Sequence, residues 1–153
     1  IHSYTSDQRL HDAPHKDLRR ARAAGHSIIP TSTGAANAIT KIFPSLKGKI
    51  SGGAVRVPVS DGSMTEITLI LNKTLTKDQI VKAMQENAES EMKGILRIND
   101  DPIVSIDVIG STESSIFDSS LSNVYGKMVR IVSWYDNESG YSNRLLELSK
   151  KVS

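Results

Sequence analysis

Two residues on predicted strands are the first candidates for chemistry. His2 follows Ile1 in a short alternating stretch that predicts the end of a strand, and histidine is the commonest general base near neutral pH. A surface histidine near a chain end is the alternative interpretation. Arg56 lies within residues 54–58, which are otherwise apolar. Because a buried charge is costly without a partner, Arg56 is expected to face either a carboxylate or an anionic ligand.

A further candidate site lies at a predicted helix start. Thr33 and Gly34 precede residues 35–43, an amphipathic stretch that ends before Pro44. The N–H groups and the dipole of a helix start attract phosphate, and glycine allows an anion to approach the backbone closely. An ordinary helix cap is the alternative interpretation.

Asn137 and Tyr141 flank Gly140 where a last helix is predicted to begin, at about residues 138–151. Apolar residues recur there at helical spacing. Taken alone, the asparagine predicts a cap of that helix and the tyrosine predicts a core residue.

A turn signal divides two predicted strands in the middle of the chain. Residues 52–60 and 63–72 are rich in β-branched residues, and Asp61-Gly62 stands between them. This pattern predicts a β-hairpin.

The remaining periodic segments complete the predicted architecture. Thr76 and Gln79 have the spacing of a capping box and predict a helix. Residues 103–109 and 127–135 predict two further strands. Because predicted strands outnumber helices, we expect an α+β fold, with a mixed, mostly antiparallel sheet and helices packed on one face.

Residues 6–27 predict a long basic surface loop, since charge is dense there and Pro14 disfavours a helix. Such a loop binds nucleic acid, or it is a solvated or interface loop. The interspersed Asp12 and Asp17, and the lack of aromatic side chains, favour the second interpretation, so a nucleic-acid partner is not expected.

Composition excludes several classes of function. The 153 residues carry 19 Lys and Arg against 17 Asp and Glu, a net charge of +2 that does not indicate a polyanionic partner. The chain has no cysteine, which excludes disulfides and a cysteine nucleophile within it. No apolar run is long enough to span a membrane. His11 and His15 are four residues apart, but Pro14 between them disfavours a helical metal site, so no metal is expected.

Six segments, in order along the chain, closely resemble one protein family. They are HSYTSDQ at residues 2–8, RRARAA at 19–24, IIPTSTGAA at 28–36, VRVP at 55–58, SSIFD at 114–118 and WYDNESGYSN at 134–143. The family is the phosphorylating glyceraldehyde-3-phosphate dehydrogenases. The resemblance implies that residues 1–153 are the catalytic domain alone. The N-terminal NAD-binding domain and the nucleophilic cysteine would then lie outside this chain, which is expected to be inactive by itself.

The resemblance also assigns roles to individual residues. His2 resembles the catalytic base; Thr5, Asp7 and Arg56 resemble the pocket for the substrate phosphate; Thr33 and Gly34 resemble the inorganic-phosphate site; and Asn137 and Tyr141 resemble residues beside the nicotinamide of the cofactor. NAD is the implied cofactor. NADP stays open, because Ala13 stands before Pro14 where many NAD-using members carry leucine.

The implied activity is the glycolytic oxidation and phosphorylation of glyceraldehyde 3-phosphate to 1,3-bisphosphoglycerate. The implied setting is a cytoplasmic homotetramer, in which the loop at residues 6–27 contacts the cofactor of a neighbouring subunit. Two alternatives are a dehydrogenase acting on erythrose 4-phosphate and a non-catalytic assembly or anion-binding module derived from this domain.

Overall fold

A computed structural model describes residues 1–152 and divides into two compact units. Residues 1–60 form the N-terminal unit, and the C-terminal unit begins at Asp61. The described residues form eight strands and three α-helices. Most strand pairs are antiparallel, which confirms the predicted α+β class.

The N-terminal unit is built on a small three-stranded sheet. Its strands are β1 (His2–Ser3), β2 (Ile29–Thr31) and β3 (Ala54–Val57), in the order β1-β3-β2. Strand β1 runs parallel to β3, and β2 runs antiparallel to it. One α-helix, α1 (Ala35–Ile42), and two 3-10 turns (Ala24–His26 and Pro44–Leu46) complete the regular structure of this unit.

The register of this sheet places candidate residues side by side. Arg56 of the central strand is level with His2 on one side and with Ile29 on the other. Residues that are level on adjacent strands lie on the same face of a sheet. His2 and Arg56 therefore share one face.

The C-terminal unit is a five-stranded sheet with two helices. Its elements are β4 (Ser63–Ile70), α2 (Lys77–Glu89), β5 (Leu96–Asn99), β6 (Ser115–Asp118), β7 (Asn123–Tyr125), β8 (Met128–Tyr135) and α3 (Ser139–Val152). The strand order is β4-β8-β6-β5, and β7 also pairs with β8. Only the β5–β6 pair among these is parallel.

The core of this unit is apolar and is covered by α2. Phe117, Val129 and Ile131 are buried, and Ile80, Val81 and Met84 of α2, with neighbouring strand residues, pack against them. Burial of such side chains is the main source of stability in a domain of this size. The helix begins where the sequence predicts, because Thr76 and Gln79 form both hydrogen bonds of a capping box.

Two of the predicted elements were wrong. The segments on either side of Asp61-Gly62 do not form a hairpin, since β3 and β4 belong to different sheets. Gly62 does adopt a turn conformation, with φ of +81°. Strand β4, however, pairs with β8 over eight residues, a longer ladder than the four residues of β3 could offer it.

Residues 103–109 contain no strand. A 3-10 turn, Ser105–Val108, occupies the segment. The Asp107 carboxylate accepts a hydrogen bond of 2.7 Å from the Val104 N–H, and this local bond competes with strand pairing. Val108 is buried within the turn, whereas Val104, Ile106 and Ile109 are exposed.

The other predicted helices and the strand at residues 127–135 are confirmed within one or two residues at each end. Within residues 1–152, no helix combines the length and apolar character that a membrane span requires.

Candidate anion-binding site

Arg56 is held by neutral oxygen atoms. Its Nη1 donates to Thr5 Oγ1 at 2.7 Å and to Gln8 Oε1 at 3.2 Å, and its side chain is 16% exposed. Burial, followed by the nearby charge of Arg20, lowers the pKa of Arg56 from its ordinary value, while Asp7 raises it. The Asp7 carboxylate lies 3.7 Å away, beyond hydrogen-bond distance. The charge of Arg56 is thus only partly compensated, which suits an anionic ligand.

Asp7 lies between two arginines. Its Oδ2 accepts a hydrogen bond of 2.5 Å from Arg20 Nη1 and is 3.7 Å from Arg56 Nη1. His15 Nε2 is 3.7 Å from its Oδ1. The hydrogen bond from Arg20 is the largest influence on the pKa of Asp7, which lies below the ordinary value. Asp7 is therefore ionised at neutral pH and draws both guanidinium groups to one place.

Arg20 is a member of this cluster that the sequence did not single out for an anion site. Its Nε and Nη2 both donate to Thr31 Oγ1, at 2.8 and 2.6 Å, and Asp17 Oδ2 lies 3.5 Å from its Nε. The only signal in the sequence was the density of arginines at residues 19–24. The density of arginines does not predict which of their side chains contacts Asp7 and Thr31.

His2 has a defined ring orientation. Its Nδ1 lies 2.7 Å from the Ser3 carbonyl oxygen, which can only accept. Nδ1 therefore carries the proton in the neutral ring, and Nε2 has the lone pair that a general base needs. His2 is half-buried and is level with Arg56 in the sheet.

Thr33 and Gly34 stand at the start of α1, as predicted. Thr33 Oγ1 accepts a hydrogen bond of 3.2 Å from the Ala35 N–H, and Gly34 is the residue that precedes the helix. A Cβ at Gly34 would meet no atom within 4 Å, so this end of the helix is open. Thr31, which binds Arg20, lies two residues before Thr33. Arg20 thus connects the Thr5–Asp7–Arg56 group with the strand that leads to the helix start.

Asn137 and Tyr141 lie in the C-terminal unit, and the interpretation of Tyr141 as a core residue was wrong. Asn137 Oδ1 accepts a hydrogen bond from the Ser63 hydroxyl. Tyr141 is 67% exposed in the first turn of α3 and is not a core residue.

The start of α3 is bound by Asp136. Asp136 Oδ1 accepts from the N–H groups of Glu138 and Ser139 at 2.8 and 2.7 Å, and its Oδ2 accepts from the Gly110 N–H at 2.8 Å. Burial raises the pKa of this carboxyl, but the backbone donors together lower it below its ordinary value. The missed signal was an aspartate three residues before a helix.

The basic loop is organised by its own charges. Arg22 Nε donates to Asp12 Oδ2 at 3.0 Å, and Asp12 Oδ1 accepts from the Ala23 N–H at 2.8 Å. Arg9 Nε donates to the Pro14 carbonyl at 3.0 Å. This internal pairing favours an ordered surface or interface loop over a nucleic-acid arm. No cluster of three or more potential metal ligands occurs within residues 1–152.

Comparison with known proteins adds the family. The sequence model of the family "Glyceraldehyde 3-phosphate dehydrogenase, C-terminal domain" matches residues 1–137. The chain belongs to this family. This confirms the resemblance found in the six sequence segments. The Thr5–Asp7–Arg56 group, His2 and the Thr33–Gly34 helix start all lie within the matched residues.

Individual members of the glyceraldehyde 3-phosphate dehydrogenase family are similar over nearly the whole chain. The glyceraldehyde-3-phosphate dehydrogenase of Mycobacterium tuberculosis is 55% identical over 148 residues, which cover 97% of this chain and 44% of that protein. The glyceraldehyde-3-phosphate dehydrogenase 1 of Bacillus cereus is 52% identical over 150 residues, covering 97% of this chain and 45% of that protein. The chain thus spans less than half the length of these relatives.

Proposed function

We propose that this chain forms the catalytic, substrate-binding part of an NAD-dependent glyceraldehyde-3-phosphate dehydrogenase, which oxidises and phosphorylates its substrate to 1,3-bisphosphoglycerate. The observation that carries the proposal is the half-buried Arg56 with Thr5, Asp7 and Arg20 around it. A sugar phosphate carries close to two negative charges at neutral pH and three acceptor oxygens. A partly compensated guanidinium and a hydroxyl are a fitting receptor for such a group.

His2 has the position and the ring state for the proton transfers. The aldehyde would be attacked by a cysteine thiolate from the part of the enzyme outside this chain, giving a hemithioacetal. His2 Nε2 would take the hydroxyl proton of that adduct as hydride leaves its carbon, and a thioester would result. An oxygen of inorganic phosphate would then attack the thioester carbonyl, and the thiolate would leave with the C–S electron pair. Phosphate held at Thr33 and Gly34 would be presented by the start of α1.

The cofactor site of this chain is partial. Asn137 and Tyr141 would hold the nicotinamide end, where the Ser63 hydroxyl fixes the Asn137 amide and the Tyr141 ring is exposed. Hydride acceptance is the chemistry that NAD supplies when bound. We place the domain in a cytoplasmic homotetramer, with its N-terminal NAD-binding domain and the loop of a neighbouring subunit as partners.

A chimera tests this function. The matching C-terminal segment of the M. tuberculosis relative is replaced by this chain, and NAD reduction is measured with glyceraldehyde 3-phosphate and inorganic phosphate. We expect turnover close to that of the parent enzyme. His2→Asn should lower kcat by roughly 10²-fold or more, because general-base catalysis contributes at least that much.

The control is Lys82→Gln, since Lys82 is exposed on α2 of the C-terminal unit and outside the anion cluster. It should leave kcat unchanged. A folded chimera without turnover would contradict the proposal and favour a non-catalytic anion-binding module. A clear preference for erythrose 4-phosphate would contradict the assigned substrate.

A further inference from the structure

Thr31 binds the edge of Arg20 that would ordinarily take a carboxylate. The Nε and Nη2 atoms of a guanidinium form a fork that matches two carboxylate oxygens. In this chain both atoms donate to the single hydroxyl oxygen of Thr31, at 2.8 and 2.6 Å. Arg20 is largely buried, with 18% of its side chain exposed.

The hydroxyl of Thr31 is fixed by the sheet. Thr31 ends β2 and is level with Ala54 of β3, two positions along from the pair Ile29 and Arg56. Because side chains alternate along a strand, Thr31 lies on the same face as Arg56. Binding to Thr31 therefore brings Arg20, which comes from an irregular loop, onto the face that carries Arg56.

The acceptor on Thr31 is neutral, so this contact adds no negative charge to that of the carboxylates near Arg20. A threonine hydroxyl has two lone pairs and one proton. With both lone pairs directed to Arg20, only its proton remains to form a further hydrogen bond. The Thr31 hydroxyl thus adds neither negative charge nor a further acceptor that would repel an anion. Asp7 and Asp17 compete for the same guanidinium, at 2.5 and 3.5 Å.

We propose that Thr31 is a positioning residue that sets phosphate affinity by holding Arg20 beside Arg56 through a neutral acceptor. This rests on the proposed function, because it assumes that the cluster receives phosphate. Without the hydroxyl, the Nε–Nη2 edge of Arg20 turns toward the Asp17 carboxylate, which lies 3.5 Å from Nε, and the guanidinium is no longer held beside Arg56.

The experiment compares three forms of the full 153-residue chain. Affinity for inorganic phosphate is measured by calorimetry, and the Nε–H of Arg20 is followed by NMR. Thr31→Val keeps the shape and the β-branch but removes the acceptor. We expect it to weaken phosphate binding roughly fivefold to tenfold, since hydrogen bonds to charged groups are among the stronger ones, and to shift the Arg20 signal. Thr31→Ser, which keeps the hydroxyl, should bind within about twofold of the unchanged chain.

A double-mutant cycle with Arg20→Gln distinguishes positioning from general damage to the fold. If Thr31 acts through Arg20, adding Thr31→Val to Arg20→Gln weakens binding no further. Thr68→Val, on a strand of the C-terminal unit, is the matched control and should not change phosphate affinity. The inference is overturned if Thr31→Val binds phosphate normally, if Thr31→Ser is as weak as Thr31→Val, or if the effect persists without Arg20. If the unchanged chain does not bind phosphate at all, that result would instead contradict the proposed function.

Discussion

Different interactions stabilise each of the two units of this molecule. In the C-terminal unit, buried aliphatic and aromatic side chains such as Phe117 and Val129 form a core under α2. In the N-terminal unit, Ala24 and Ile29 are the buried apolar residues, and Ser3 and Gln8 are buried with them. Arg56, Asp7 and Arg20 add a network of charges there. The comparison teaches that the candidate anion site lies in the unit with the smaller buried apolar core.

This difference has a physical basis. Apolar burial is non-directional and gives the larger contribution to stability. Charged hydrogen bonds fix orientation and leave partly compensated charges that a ligand can use. Variants in the C-terminal unit should therefore act mainly on stability, and variants in the N-terminal unit mainly on binding.

The largest expected effect concerns the apolar core. Phe117→Ala should lower the free energy of unfolding by about 3–5 kcal/mol, because it removes a large buried ring and leaves a cavity. Urea unfolding monitored by circular dichroism measures the change. The matched control is Phe43→Ala in the N-terminal unit, where the ring is 57% exposed, against 1% for Phe117. Equal losses in the two variants would contradict the contrast in packing.

A smaller effect is expected at the buried carboxylate of Asp118. Its Oδ1 accepts from Ser120 Oγ at 2.7 Å and from the Leu121 N–H at 3.0 Å, and its Oδ2 accepts from Trp134 Nε1 at 2.9 Å. Asp118→Asn places an amide where these donors require acceptors. It should cost about 1–3 kcal/mol at pH 7, measured by urea unfolding.

The pKa of Asp118 determines how the stability difference between the variant and the unchanged chain depends on pH. Burial raises the pKa of Asp118, but the donors from Ser120, Trp134 and Leu121 together lower it below its ordinary value of 3.8. A lowered folded-state pKa stabilises the fold above the unfolded pKa, and this contribution is lost as pH falls through the folded-state value. The variant should therefore differ most from the unchanged chain above pH 4 and less in stronger acid. A difference that grows below pH 4 would contradict the assignment.

The smallest change in free energy, and the one most specific to the N-terminal unit, is expected at Arg56. Arg56→Gln should weaken the binding of inorganic phosphate roughly tenfold, about 1.4 kcal/mol, because it removes the central cation of the site. Calorimetric titration measures it. The control is Arg130→Gln, which breaks an exposed pair with Glu66 in the C-terminal unit. Normal phosphate binding by Arg56→Gln, or an equal loss in Arg130→Gln, would show that the charge cluster is not the site.

Local signals in the sequence predicted local structure well. The capping box at Thr76 and Gln79 gave the start of α2, because all its hydrogen bonds lie within one turn. The structure also has a turn conformation at Gly62 of the predicted Asp61-Gly62 turn. The predicted hairpin does not form, because a longer ladder is more favourable than a short one. Strand β4 forms such a ladder with β8, which lies far along the chain.

The candidate site shows the same division. Resemblance identified Thr5, Asp7 and Arg56, and the structure brings these three together. It did not identify the contact between Arg20 and Thr31. That contact joins an irregular loop to a strand, and no periodicity predicts how such a loop folds back.

The sequence by itself determined the family, the α+β class and the residue types of the candidate anion site. Those properties follow from ordered motifs, from the spacing of apolar residues and from the cost of burying Arg56 without a partner. Only the tertiary structure decided which groups compensate Arg56, that Asp7 lies between two arginines, and that a neutral hydroxyl holds the second of them. These depend on contacts between residues distant in sequence, whose geometry is set by the packing of the strands and the course of the loop.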